Sequence, residues 1–353
     1  LGPGRPGRLL WVIHHLAVDA VSWRILLEDL AASYAQLSRG LPAGLPRKTT
    51  SFKEWSERLT AHATSPELLR ELPYWRDQAW ALVQPLPLDL PGGANTVAEE
   101  RTLSVHLAAE ETEALLQEVP PVYKTRINDA LLAAVARAFE RWTGNPLLPV
   151  DIEGHGREEG LFEVDLTRTV GWFTSLFPVL LDLRRCPDPG SALKAVKEQL
   201  RAVPASGVGY GMLRYLTPAG EELARLPAPE ISFNYLGQLD QTLSAEAGLR
   251  LAEEPAGAPR SPRAGRHHRF DLSASVLSGQ LLLSCTYSAG LHLEPTVRGL
   301  LQSIAAELRE LVAHCRAPEA GGFTPSDFAA ARLNQQQLDR FLSRIGKVPG
   351  DRR

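Results

Sequence analysis

The chain has 353 residues, 44% of them apolar and 22% charged, with a formal net charge of −3 at pH 7. That length accommodates two packed lobes with a core each, and the mix is that of an ordinary soluble globular protein. The slightly acidic balance excludes the basic footprint of a nucleic-acid-binding surface, and apolar runs that are short and broken by charge exclude a transmembrane helix or a signal-peptide core.

Taken in chain order, Leu9, Leu10, Trp11, Val12 and Ile13 read as a buried strand almost at the first residue. A core strand needs neighbours on both sides, so this run predicts a chain whose upstream part is missing. The strand stops at His14 and His15, and Asp19 follows in a short loop. Ser22 is placed to cap a helix over residues 23–37, where Ile25, Leu26, Leu30, Tyr34 and Leu37 recur near helical spacing. Gly40, Pro42, Gly44 and Pro46 then break the chain.

Helices are expected over residues 52–62 and 66–80, followed by a proline-rich loop over 85–91. Leu103, Val105 and Leu107 alternate with polar neighbours as a half-buried strand does. Asn128 or Asp129 opens a strong helix that runs to Trp142. Apolar runs follow at 147–152 and 176–183, then a helix over 191–203 and a short strand over 231–235 ended by Gly237. Strands over 270–277 and 281–287 flank Ser278 and Gly279, a hairpin signal. An amphipathic helix over 296–314 closes the globular part, and the polar tail beyond Arg316 reads as a linker with one short helix.

Three segments at the ends of apolar runs could carry chemistry. The first is His14-His15 with Asp19. Adjacent histidines point to opposite sides of a strand and no third ligand stands at a familiar offset, so proton transfer fits better than a metal. A packed or solvated histidine pair is the plainer reading of this segment taken alone. The second is Glu153-Gly154-His155-Gly156-Arg157-Glu158. Glycine on both sides of His155 allows positive φ and close approach to a ligand, and Arg157 offers a fork of donors for phosphate or carboxylate. The third is Phe233-Asn234-Tyr235-Leu236-Gly237. Alone, the second reads as a polar turn and the third as a strand with a glycine stop.

No phosphate loop, dinucleotide fingerprint or nucleophile elbow occurs, and no lysine stands in a Schiff-base context. Cys186, Cys285 and Cys315 are odd in number and widely spaced, fitting neither a metal site nor a disulfide framework. They predict a reducing cytoplasm and no bound metal.

Taken together, these segments stand in the order found in one family. The chain resembles the epimerization domain of nonribosomal peptide synthetases, a relative of their condensation domains. The resemblance begins with His14-His15-Leu16-Ala17-Val18-Asp19-Ala20-Val21-Ser22-Trp23 and its continuation to Leu30. It continues through Asn128-Asp129-Ala130-Leu131-Leu132, the Glu153 segment and Arg168-Thr169-Val170-Gly171-Trp172-Phe173-Thr174-Ser175. Gly207-Val208-Gly209-Tyr210-Gly211 and the Tyr235 segment complete it. Phe323-Thr324-Pro325-Ser326-Asp327-Phe328 resembles the linker that follows such a domain. One departure is Ala20, where the family's His motif usually carries glycine.

The resemblance implies an α/β fold (an α+β sandwich) of two chloramphenicol-acetyltransferase-like lobes forming a V-shaped cleft, with the N-terminal lobe incomplete. Residues 1–118 would be the remainder of that lobe, 119–316 the C-terminal lobe and 317–353 an inter-module linker. The implied reaction is inversion at the α-carbon of an aminoacyl or peptidyl thioester. The substrate would ride on the phosphopantetheine arm of an upstream peptidyl carrier protein, with a further synthetase module downstream, no cofactor bound by the domain itself, and neither nucleic acid nor membrane as partner.

In this reading Glu153 is the base, His15 the opposing acid or oxyanion stabiliser, and Tyr235 a proton donor or a wall to the α-carbon. One-base and two-base schemes both fit. Asp19 would hold the His loop by an ion pair, and Arg157 and Asn234 would position Glu153 or the pantetheine amides. Asp29, expected in the last turn of its helix, would be structural, and His14 would point into the N-terminal lobe. Ser175 and Trp172 would line the tunnel, unless Trp172 is simple core, and His155 would serve only its loop. His267 and His268 are expected at the surface. The alternatives are a condensation domain that joins two carrier-bound chains, or a catalytically silent homologue that only docks carrier proteins.

Overall fold

The computed structural model describes residues 7–238, 252, 254–331 and 333–345. The N-terminal part holds helices α1 (Ala20–Leu37), α2 (Phe52–His62), α3 (Pro66–Leu69) and α4 (Leu72–Arg76). Next come strand β1 (Glu100–His106), helices α5 (Ala109–Gln117), α6 (Val119–Tyr123) and α7 (Ile127–Thr143), and strands β2 (Leu147–Gly154) and β3 (Ser175–Asp182). Helices α8 (Pro189–Ala202), α9 (Val208–Leu216) and α10 (Gly220–Leu223) precede β4 (Ile231–Gln238), β5 (Phe270–Leu277) and β6 (Gln280–Ser288). Helices α11 (Glu294–Cys315) and α12 (Gln335–Ile345) end the described chain.

The six strands form one mixed sheet in the order β1-β6-β5-β4-β2-β3. The pairs β2–β4 and β4–β5 are parallel and the other three are antiparallel. Side chains alternate between the faces of a strand, and here the alternation separates chemistry cleanly. On one face Phe270, Leu272, Ala274 and Val276 of β5 sit beside Tyr287, Cys285, Leu283 and Leu281 of β6, all buried. They join α7, α8 and α11 in the main core. The other face carries Asp151, Glu153, Ser232, Asn234, Asp271 and Ser273. It continues into hydroxyl pairs between Thr102 and Thr286 at 2.9 Å and between Ser104 and Ser284 at 2.8 Å.

Helix α7 is the central support. Asp129, in its first turn, accepts from the Arg126 amide at 2.7 Å and pairs with Arg201, at 2.7 Å in its shorter contact. Leu131, Leu132, Val135 and Phe139 follow in the core, and Gly144 ends the helix at φ +71°. The hairpin turn also forms as its sequence requires: Ser278 and Gly279 both take positive φ.

Several expectations are corrected. The run from Leu9 to Ile13 forms no strand; no described strand lies alongside it, and Leu10 and Val12 are 69% and 79% exposed. Asp19 rather than Ser22 caps the first helix, which begins at Ala20 in an ordinary helical conformation that needs no glycine. Residues 66–80 split into α3, α4 and a 3₁₀ turn (Trp80–Leu82), with Pro66 and Pro73 each in the first turn of a helix, where a missing N–H is tolerated.

A division at residue 118 runs through a single sheet, because β1 pairs with β6 from Glu100 to His106. The tail is not free of the core at once: Lys197, buried in α8, donates to Asp327 and to the Tyr123 carbonyl, both at 2.8 Å, and Ser326 donates to Glu198. Among the described residues no helix is long and apolar enough to cross a membrane.

Phe139 is fully buried, with the rings of Trp142 and Phe270 at 5.8 and 6.0 Å. Phe139→Ala is therefore expected to destabilise the protein by about 3–5 kcal/mol, read as a lowered urea midpoint at unchanged slope.

Candidate active site

The His loop is held from both ends. His14 accepts the Leu16 amide at its Nδ1 (3.1 Å) and so caps a 3₁₀ turn (His15–Ala17). Its side chain serves the turn and is exposed. His15 is exposed too, and its ring centroid lies 5.8 Å from that of Trp172. Asp19, only 4% exposed, caps α1 by accepting the Ser22 amide at 2.7 Å. It also accepts the Phe173 amide at 3.2 Å, while the Ser22 hydroxyl exchanges hydrogen bonds with the Gly171 carbonyl and amide.

The second hold comes from the segment after β2. Arg157 Nη2 donates to both oxygens of Asp19 at 3.1 and 3.2 Å and to Ser22 Oγ at 3.2 Å. Its Nη1 donates to the Leu166 and Thr169 carbonyls at 3.0 and 2.8 Å, and its guanidinium stacks 4.0 Å from the Phe173 ring centroid. Arg157 therefore binds Asp19 and makes no hydrogen bond to Glu153, so of its two expected roles, positioning Glu153 or the pantetheine amides, the first is corrected. Burial alone would raise the Asp19 carboxyl, but the Ser22 contacts, the Arg157 charge and the Phe173 amide outweigh it and hold the group below its ordinary value.

Glu153 stands near the end of β2, beside Asn234 of β4. Asn234 Nδ2 donates to Glu153 Oε2 at 2.5 Å. Protein crowds the carboxylate on its sheet side although the residue remains exposed at the strand end. That loss of water raises its carboxyl above the ordinary value, as does Asp271, while the nearby His15 and His268 draw it back down. Segments 138 residues apart in sequence thus bring His15 and Glu153 within electrostatic reach of each other.

A third group on the same face was not read from the sequence. His268, 7% exposed, lies between two carboxylates: Nε2 is 2.8 Å from Asp151 Oδ2 and Nδ1 is 3.3 Å from Asp271 Oδ1. Burial would lower the imidazolium, but these two aspartates push it up to about 9. Ser232 and Arg266 each donate to Asp271 at 2.7 Å. The expectation that His268 lies at the surface is corrected; only His267 is exposed. Asp151, His267 and His268 bring ligand atoms within 4.8 Å of one another. With both His268 nitrogens already engaged by carboxylates, the group is an ion-pair network rather than a metal site.

A signal for it exists in the sequence. Asp151 and Glu153, Ser232 and Asn234, and Asp271 and Ser273 repeat one polar two-residue spacing on three strands.

The remaining expected residues divide. Tyr235 lies on the opposite face from Glu153: β4 alternation puts it with Ile231 and Phe233, packed against the main core, and burial raises its phenol. Ser175 pairs with Gly154 on that same side, its Oγ enclosed against the strand. Trp172 is 41% exposed beside His15 and is not core. Asp29 lies in the middle of α1, not in its last turn, and pairs with Arg168. His155 accepts the Arg157 amide at 3.0 Å and so serves its own loop. Of its two flanking glycines only Gly156 takes positive φ (+64°), and what it admits is backbone: a Cβ there would stand 1.6 Å from the Phe173 carbonyl oxygen.

The condensation-domain family matches residues 5–334, and the chain belongs to that family. It is 48% identical over 349 residues to one of the linear gramicidin synthase polypeptides of Brevibacillus parabrevis, covering 98% of this chain and 4% of that protein. It is 42% identical over 338 residues to surfactin synthase subunit 1 of Bacillus subtilis, covering 95% of this chain and 9% of that protein. The chain thus spans under a tenth of either of these synthase polypeptides. The crystal structure of the epimerization domain from the third module of tyrocidine synthetase B is similar, with a TM-score of 0.79 and 39% identity over 86% of this chain and 68% of that one. The mixed α/β fold with its six-stranded sheet is of the chloramphenicol-acetyltransferase type found in such domains.

The lowered Asp19 carboxyl has a consequence for acid stability. A carboxyl depressed in the folded state stabilises the protein above its unfolded value, near 3.8, and loses that contribution as pH falls through the folded value. Asp19→Asn should therefore be less stable than wild type at pH 7, with the gap closing below about pH 4. Thermal melts of both proteins across pH 2.5–7 measure this.

Proposed function

We propose that the domain inverts the α-carbon of an aminoacyl or peptidyl thioester presented on the phosphopantetheine arm of a carrier protein. The observation that carries the proposal is the Glu153 carboxylate, fixed by Asn234, made more basic by the protein packed on its sheet side, and within electrostatic reach of His15. The likeness to the tyrocidine synthetase epimerization domain supports the same branch of the family.

A thioester stabilises an adjacent carbanion poorly, so inversion needs a base, a proton source and help for the enolate oxygen. Glu153 takes the α-proton; the C–H pair delocalises into the thioester carbonyl. A raised carboxyl pKa narrows the gap to the carbon acid, and placed acid–base groups contribute about 10²–10⁴-fold. His15, beside Trp172, delivers a proton to the opposite face of the α-carbon, and both groups then re-equilibrate with solvent. Asn234 aims the carboxylate, and the Asp19–Arg157 pair holds the His loop. Tyr235, on the packed face, takes no proton-transfer step in this scheme.

The test is to incubate the protein in D₂O with a carrier protein loaded with an L-aminoacyl thioester, following α-deuterium incorporation and product chirality. D-product carrying deuterium is expected, with exchange lowered at least about 100-fold in Glu153→Gln. Exchange that survives in Glu153→Gln and disappears in His15→Ala would move the base to His15. Peptide-bond formation between two loaded carriers, without α-exchange, would contradict the proposal in favour of condensation.

A further inference from the structure

We propose that His268 is a positioning residue for the Glu153 carboxylate: clamped between Asp151 and Asp271, it balances two negative charges lying one row away on the same sheet face and keeps Glu153 ionised. The inference rests on the role given to Glu153 above.

Asp151, Ser232 and Asp271 are in register across β2, β4 and β5. Glu153 is two residues beyond Asp151 on the same face, about 6.6 Å along a strand. An imidazole that faces a carboxylate through each ring nitrogen donates from both and is a cation. The backbone presenting it is fixed as well, because Asn95 Nδ2 donates to the carbonyls of His268 and Arg266 at 3.0 and 3.3 Å.

The charges around this pair come from every packed element. Asp151 of β2 and Asp271 of β5 face His268, and the His267 ring stands 4.7 Å from it. Arg266 covers the far oxygen of Asp271 at 2.7 Å and lies 3.4 Å from Glu100, which Arg260 pairs at 2.6 Å. The charges acting on Glu153 are those of His15, Asp271 and His268. Two aspartates are thus matched by two cations, His268 and Arg266, and Glu100 by Arg260. Neutralising His268 leaves one uncompensated carboxylate beside Glu153, and a like charge disfavours ionisation.

The test reads Glu153 directly. Its side-chain carboxyl is titrated by carbon-13 NMR in wild type, His268→Gln, His268→Gln/Asp271→Asn and the assignment control Glu153→Gln. The Glu153 midpoint is expected to rise by about one unit in His268→Gln, equivalent to about tenfold slower α-exchange below the midpoint and nearly equal rates above it. The double variant, which removes one charge of each sign, should return the midpoint most of the way to wild type. An unchanged midpoint in folded His268→Gln, or no return in the double variant, would overturn the inference. If the midpoint moves as expected while Glu153→Gln retains full exchange, the assigned role of Glu153 fails and the electrostatic coupling stands.

Discussion

The contact between Arg157 and Asp19 joins the two halves of the candidate site. Asp19 lies four residues after His15, and Arg157 lies four residues after Glu153, so one ion pair ties the histidine loop to the segment leaving the carboxylate strand. Both side chains are almost fully buried. A buried pair stabilises only when its remaining hydrogen-bonding capacity is met. Here the Ser22 and Phe173 amides complete Asp19 and the Leu166 and Thr169 carbonyls take the other arm of Arg157, so most of that capacity is met, the buried Arg157 Nε being the exception. Lysine, a single point of charge, could not make these divergent contacts, which require the planar fork of a guanidinium.

The sheet supplies the second half of the arrangement. Its helix-covered face is close-packed and apolar, so strands β2, β4 and β5 cannot slip by one residue without burying Asp151, Asn234 and Asp271 among leucines. That constraint is what keeps Glu153, Asn234 and the His268 network on one surface. The same packing that stabilises the fold therefore sets the register of the site.

Much of this was legible in the sequence because local signals agreed with the fold. Helix α2 occupies residues 52–62 as the sequence predicts, and the Ser278-Gly279 turn forms between its two strands. The ordered motifs singled out Glu153 and Asn234, which the sheet brings into hydrogen-bond contact. What escaped was what depends on cross-strand register. Tyr235 follows Asn234 in sequence, yet adjacent residues in a strand point to opposite faces, and a motif read as a string does not convey that. His268 looked like surface because its two partners stand on strands 117 residues before it and three residues after it. Arg157 stands four residues from Glu153 in sequence, yet the carboxylate it binds, Asp19, is 138 residues away. Leu9 to Ile13 has the composition of a core strand, but a strand forms only where another can pair with it.

The Asp19–Arg157 pair ties the His15 loop to the segment after Glu153, and it should act on the proposed reaction as one unit. A double-mutant cycle on the α-hydrogen exchange rate, with Asp19→Asn, Arg157→Gln and the combination, measures that unit directly. Strong non-additivity is expected: the double variant should be little worse than the more damaging single one, with a coupling of about 1–3 kcal/mol. Rate losses that simply multiply would contradict it, because they would mean that the two residues act on the site independently.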